Sequence, residues 1–188
     1  MSIPQTDRVA ELREEDLQLR RRPILSISST PATQSSPIGT RQLTDELVTA
    51  SLSCDHSDPA WDAFLQSSPL GQFQQSAMWP QAKQGEVWQP ITVVFTAADQ
   101  MRGGFQILWR QSRLGRIGYV SKGPIVDPET PECASYVIDV LRTIVSRYSI
   151  RALILHPPDN SRVLPELLGR RPFEVNGLMK VNEATVFI

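Results

Sequence analysis

The sequence predicts an α/β fold (α+β in detail), with a mixed, mostly antiparallel sheet flanked by helices. Three observations carry that expectation. Between residues 91 and 121, three runs of β-branched and aromatic residues follow one another across short connections. At residue 130 the apolar period changes from 2 to 3.6 and stays there for almost twenty residues. The chain of 188 residues is 40% hydrophobic and 21% charged, a globular balance that lets at least part of it bury a core.

Taken in order, residues 1 to about 22 carry mixed charge and end in Arg20, Arg21 and Arg22. Residues 23 to about 40 are dominated by Ser, Thr and Pro, too poor in large apolar groups to offset the entropy of ordering them. Residues 1–42 are therefore expected to be a disordered extension, and 43–188 the folded domain. Asp58 followed by Pro59 reads as a helix cap with proline at the first helical position, and Trp61, Phe64 and Leu65 then share one face. Pro69 and Gly71 stop that helix, and a second short one starts near Ser76, with Trp79 and Lys83 on one face.

Strands follow at 91–96, 104–110 and about 116–121, most simply an antiparallel meander. Thr130, Pro131 and Glu132 supply a cap, a proline at N1 and an acid in the first turn. Val137, Leu141, Ile144 and Tyr148 then recur at helical spacing. Residues 151–156 form a short buried strand stopped by Pro157 and Pro158, a helix covers about 161–168, and 184–188 is strand-like again.

Composition also limits the function. With 19 basic and 20 acidic residues, net charge −1, the chain has no general basic field, so direct nucleic-acid binding is not expected. Two cysteines, Cys54 and Cys133, without a histidine cluster argue against a disulfide framework or a metal site and make a reducing cytoplasm the default. No run of about 18 apolar residues exists to span a membrane, and the N-terminus has no apolar h-region.

The order helix, helix, three strands, helix, strand, helix, strand matches the layout of the N-acetyltransferase superfamily. Within it, three stretches resemble the first domain of the Fem-type peptidyltransferases, bacterial enzymes that use aminoacyl-tRNA to attach amino acids to a peptidoglycan precursor. Gly71, Gln75, Trp79 and Lys83 resemble the family's opening motif. Tyr119–Asp127 (Tyr-Val-Ser-Lys-Gly-Pro-Ile-Val-Asp) is similar to its "Y-x-[SP]-[KR]-G-P-[VI]-x-D". The closing Ala-Thr-Val-Phe-Ile resembles the strand after which the family's second domain begins. The pattern, covering roughly residues 58–188, also occurs in BioF2-like and CelD-like acetyltransferases.

The resemblance implies an acceptor-side domain whose second domain is absent and which is inactive alone. Lys83 resembles a lysine that holds the diphosphate of a nucleotide-linked acceptor; the plain alternative is a surface lysine lying over Trp79. Lys122 and Gly123, with Pro124, offer charge and close backbone approach at a strand-to-helix bend, or else a sharp connection kept for geometry. Asp127 is a ligand contact or a turn acid. Tyr119 and Trp109 line a cleft or belong to the core. Asp159 is the nearest substitute for a family acid whose position here holds Pro157. His156, alone at a strand end, reads as structural. Catalytic residues are not assigned.

The segment 123–131 contains three prolines and lacks the Gly-rich loop that cradles the pyrophosphate of acetyl-CoA. No cofactor is therefore expected in this half. The resemblance implies aminoacyl-tRNA or acyl-CoA as donor, a nucleotide- or lipid-linked peptidoglycan precursor as acceptor, and a separate second-domain protein as a partner. The rivals are a general N-acyltransferase of exopolysaccharide or small-amine metabolism and a non-catalytic scaffold.

Overall fold

The computed structural model describes residues 35–53, 58–83, 88–169, 174–175 and 186–187. Arg20–Arg22 and Cys54 lie outside them. Seven strands make one sheet: β1 (Ser35–Gln42), β2 (Leu47–Ser53), β3 (Gln89–Ala97), β4 (Gln100–Ser112), β5 (Gly115–Val120) and β7 (Ile150–Leu155) in that spatial order, with the short β6 (Ile125–Val126) also paired to β4. All pairs are antiparallel except β5 with β7. β8 (Glu174–Val175) and β9 (Val186–Phe187) form a separate antiparallel pair. The expected meander is β3–β4–β5.

One expectation is corrected. Residues 35–42, read as part of a disordered extension, form β1, and among the described residues two strands precede the first helix. β1 is an edge strand, so only one side of it must be apolar: Ile38 packs on the core, and Pro37 falls where the register slips between Pro37 and Gly39. Such a strand has the Ser/Pro-rich composition of a linker. β2 hides similarly behind small residues, with Val48 and Ala50 buried.

Helix α1 (Pro59–Ser67) starts as expected, Asp58 Oδ1 accepting from the backbone N of Ala60 and of Trp61, both at 3.1 Å. A 3-10 turn at Phe73–Gln75 and helix α2 (Met78–Ala82) follow. Helix α3 (Pro131–Arg147) is capped by Thr130, whose Oγ1 accepts from Cys133 N at 3.2 Å, and α4 (Val163–Leu168) follows β7.

The sheet has two unlike faces. On one, α3 lays down eight buried residues, and Phe95, Phe105, Ile107, Leu153 and Leu155 meet them in the main core. On the other, α1 contributes Trp61 and Leu65 to a smaller cluster with Val94 and Ile125. Gly104 is what lets Trp61 lie against the strand, since a Cβ there would come within 2.8 Å of the indole. No described helix is long and apolar enough to cross a membrane.

Candidate functional site

The candidate site forms where β5 leaves the sheet. β4 and β5 pair from Ser112–Gly115 to Leu108–Tyr119; two steps further in that register Gln106 would stand opposite Ser121. The main chain instead swings out through Lys122, and β6 returns to β4 only at Gly104 and Gly103. The carboxamide of Gln75, fully buried, fills the gap: its Oε1 accepts from Gln106 N at 2.7 Å, and its Nε2 donates to Ser121 O at 2.7 Å. A side chain thus replaces a ladder hydrogen bond between strands. Gly123 is glycine for the same reason, because a Cβ would stand 2.6 Å from Gln75 Cδ. The close approach at Gly123 is to this glutamine, as its reading as a connection kept for geometry has it.

β5 and β7 stay joined across the bend. His156 N donates to Val120 O and Gly123 N donates to His156 O, each at 2.9 Å, so Lys122 is an extra residue bulged out of the parallel ladder with φ of 53°. The positive φ aims Lys122 away from the sheet, and its ammonium pairs with Asp159 Oδ1. The lysine side chain is only 14% exposed and the aspartate 55%, so the pair straddles the surface.

Beside it stands a polar relay. Ser121 Oγ donates to Tyr119 Oη at 3.2 Å, Tyr119 Oη lies 2.9 Å from His156 Nδ1, and the two rings meet edge to face at 5.1 Å. Tyr119 Oη thus bridges Ser121 Oγ and His156 Nδ1, and the imidazole tautomer sets the direction of the second bond. His156 Nε2 is buried and has no hydrogen-bond partner among the described residues. Burial, and then the positive charge of Lys122, lower the His156 pKa below the ordinary imidazole value, so the ring is neutral at pH 7.

Four of the sequence-singled residues therefore come together: Tyr119, Lys122, Gly123 and Asp159. Lys83 does not join them by any contact among the described residues. It is the C-cap of α2, with its ammonium 5.3 Å from the centre of the Trp79 ring. Trp109 packs against the main core beneath the Arg116 guanidinium, and Asp127 is exposed. Sequence reasoning missed Ser121, the structural use of Gln75, and Glu129. The Glu129 carboxylate accepts the backbone N–H groups of Arg162, Val163 and Leu164, all at 3.2 Å, and so caps α4 from 33 residues away. No local pattern announces a cap at that distance. Among the described residues no group of His, Cys, Asp and Glu is arranged to hold a metal.

A family model described as the FemAB family matches residues 56–163, from just before α1 to the start of α4. Among solved structures the chain is similar to FemX, with 22% identity and a TM-score of 0.55, over 64% of this chain and 32% of that one. It is also similar to the ribosomal-protein-alanine N-acetyltransferase from Brucella melitensis biovar Abortus 2308, with 17% identity and a TM-score of 0.50, over 71% of this chain and 96% of that one. The chain thus spans 32% of the length of FemX, and at these identities the two likenesses establish an acetyltransferase-like fold. No curated protein matches it in sequence. The family model covers more than half of the chain and takes in α1, the Gln75 splice and the Lys122 bend: the chain belongs to the FemAB family.

Proposed function

We propose that this chain supplies the acceptor side of an aminoacyl- or acyl-transferase acting on a peptidoglycan precursor, and that the bend at Lys122 grips an anionic group of that acceptor. The carrying observation is the Lys122–Asp159 pair. A strained backbone position holds a nearly buried lysine stem, while the carboxylate that satisfies its ammonium is mostly in solvent. An exposed partner is held weakly and is readily exchanged. A phosphate or carboxylate of the ligand takes its place, with the lysine as point-charge partner.

In this reading side chains take little covalent part. Holding the acceptor amine against an activated ester provides much of the acceleration, and the donor is bound outside these residues or by a partner protein. Aminoacyl-tRNA or an acyl-CoA are the donors the family resemblance suggests. The α3 N-terminus is a poor cradle for pyrophosphate, because Thr130 already caps it and Glu129 and Glu132 flank it. This supports the absence of a CoA site here.

Isothermal titration with a nucleotide-linked muramyl pentapeptide tests the proposal. Lys122→Ala should weaken binding at least about tenfold, as expected for a lost charge-assisted contact. Asp159→Asn, which removes the competing carboxylate, should tighten it. Absence of binding, or indifference to Lys122→Ala, sinks the reading. Binding of acetyl-CoA instead would favour a general N-acyltransferase.

A further inference from the structure

The geometry points to the β4–β5 hairpin end of the sheet as a docking surface for an anionic lipid membrane. Residues 100–126 carry five basic side chains and no acidic one. Arg102 and Lys122 are paired with Glu46 and Asp159, while the other three sit at or near the hairpin turn. The fold adds two more from distant sequence, since Arg147 closes α3 and Arg151 lies at the start of β7. Two contacts fix that convergence. An Arg116 guanidinium N–H donates to Tyr148 O at 2.6 Å, and the stem of Arg151 lies so close to Gly115 that a Cβ there would be 2.6 Å from its Cδ. Arg113, Arg147 and Arg151 are exposed, and none takes part in an ion pair among the described residues.

Charge alone would suit any polyanion. Leu114 selects among them. It occupies the hairpin tip at 84% exposure and belongs to neither core cluster. The tip is braced: Ser112 Oγ donates to Gly115 O at 2.6 Å and accepts from Leu114 N at 3.2 Å. A leucine held outward amid arginines gains nothing from a phosphate backbone in water. At a bilayer it enters the acyl boundary while the guanidinium groups meet lipid phosphates. This end lies one length of β5 from the Lys122 bend, about 20 Å for six residues, so the surface is separate from the proposed acceptor site.

Vesicle flotation of the full chain tests this, with phosphatidylcholine alone and with phosphatidylglycerol added, at low and high salt. The chain should float only with the anionic vesicles and should be released by salt. The double variant Arg113→Glu/Arg151→Glu should lose at least tenfold in partitioning, each arginine near such a surface being worth about fivefold. Leu114→Ser should lose several-fold while keeping the salt dependence. Unchanged unfolding curves would keep these exposed-site variants interpretable. No flotation, or flotation indifferent to the charge reversals, overturns the inference. Tight, salt-sensitive binding of a homopolymeric RNA that ignores Leu114→Ser also overturns it and assigns the surface to nucleic acid. The hairpin variants should leave acceptor titration at Lys122 untouched, so either idea can fail without the other.

Discussion

The two faces of the sheet hold together by different means. Under α3 and α4, contact is almost wholly apolar: Leu141, Ile144, Leu153, Leu155 and Leu164 are all buried to within 1%. Under α1 and the 3-10 turn, Trp61 and Leu65 share the work with a run of polar groups, from Thr92 and Gln106 through Gln75 and Ser121 to Tyr119 and His156. Apolar packing is non-directional and tolerates small shifts, whereas a buried polar run depends on the geometry of each hydrogen bond it makes. The face built from polar groups is also the one that carries the candidate site. A fold can afford specific donors and acceptors there because the opposite face supplies stability.

The sharpest way to break this contrast is to damage each face once. Leu141→Ala should leave a cavity in the main core and cost about 2–5 kcal/mol, read from urea unfolding. The site network, on the opposite face of the sheet, should keep its acceptor titration in the fraction still folded. Gln75→Leu conserves bulk but orphans Gln106 N–H and Ser121 C=O, each costing about 1–3 kcal/mol. Its second effect separates it from the first variant. With the splice gone the Lys122 bend is no longer pinned, and acceptor affinity should fall even in the folded fraction. Equal loss of affinity in both variants would mean that the two faces are not distinct in this way.

The same contrast decides what could be read from the residues. α3 was legible from end to end, because an apolar face against a sheet writes a 3.6-residue period and its cap is local. The Tyr119–Asp127 bend was legible through its family motif, which brought Tyr119, Lys122 and Gly123 to notice. Glutamine 75 appeared in that motif without a reason, since its use depends on a ladder position 31 residues away in β4. β1 escaped for the opposite cause: an edge strand needs few apolar residues, and a Ser/Pro-rich one looks like a tether. Lys83 shows the limit of spacing arguments. The four-residue step from Trp79 is realised, and it satisfies the lysine on the indole.

A smaller effect should come from His156 and should appear only as a pH dependence. Its pKa is lowered in the fold, so below the ordinary value of about 6.5 the unfolded chain binds a proton that the folded chain refuses. Stability should therefore fall as pH drops through that value toward the lowered one, and be fully present above it. Chemical unfolding midpoints from about pH 7.5 down to 5.5 would show the slope. His156→Asn should flatten it, and a slope that survives the substitution would remove His156 as its source.

Smallest is the tie that fastens the edge strand to the apolar side. Tyr136 Oη donates to Gly39 O at 2.9 Å, and the Arg41 guanidinium lies 4.7 Å from the centre of the same ring while pairing with Asp139. Tyr136→Phe keeps the ring, and with it the cation–π contact and the edge-on packing against Phe95, and deletes only the hydroxyl. The expected loss is about 1 kcal/mol, the net worth of one hydrogen bond. Where it appears matters more than its size. β1 has a single strand neighbour among the described residues, so its amides should exchange with solvent faster in the variant while those of the central β3 and β4 change little. Uniform acceleration across the sheet would instead make β1 part of the cooperative core, and the Ser/Pro-rich edge would then be as integral to the fold as the strands whose sequence announces them.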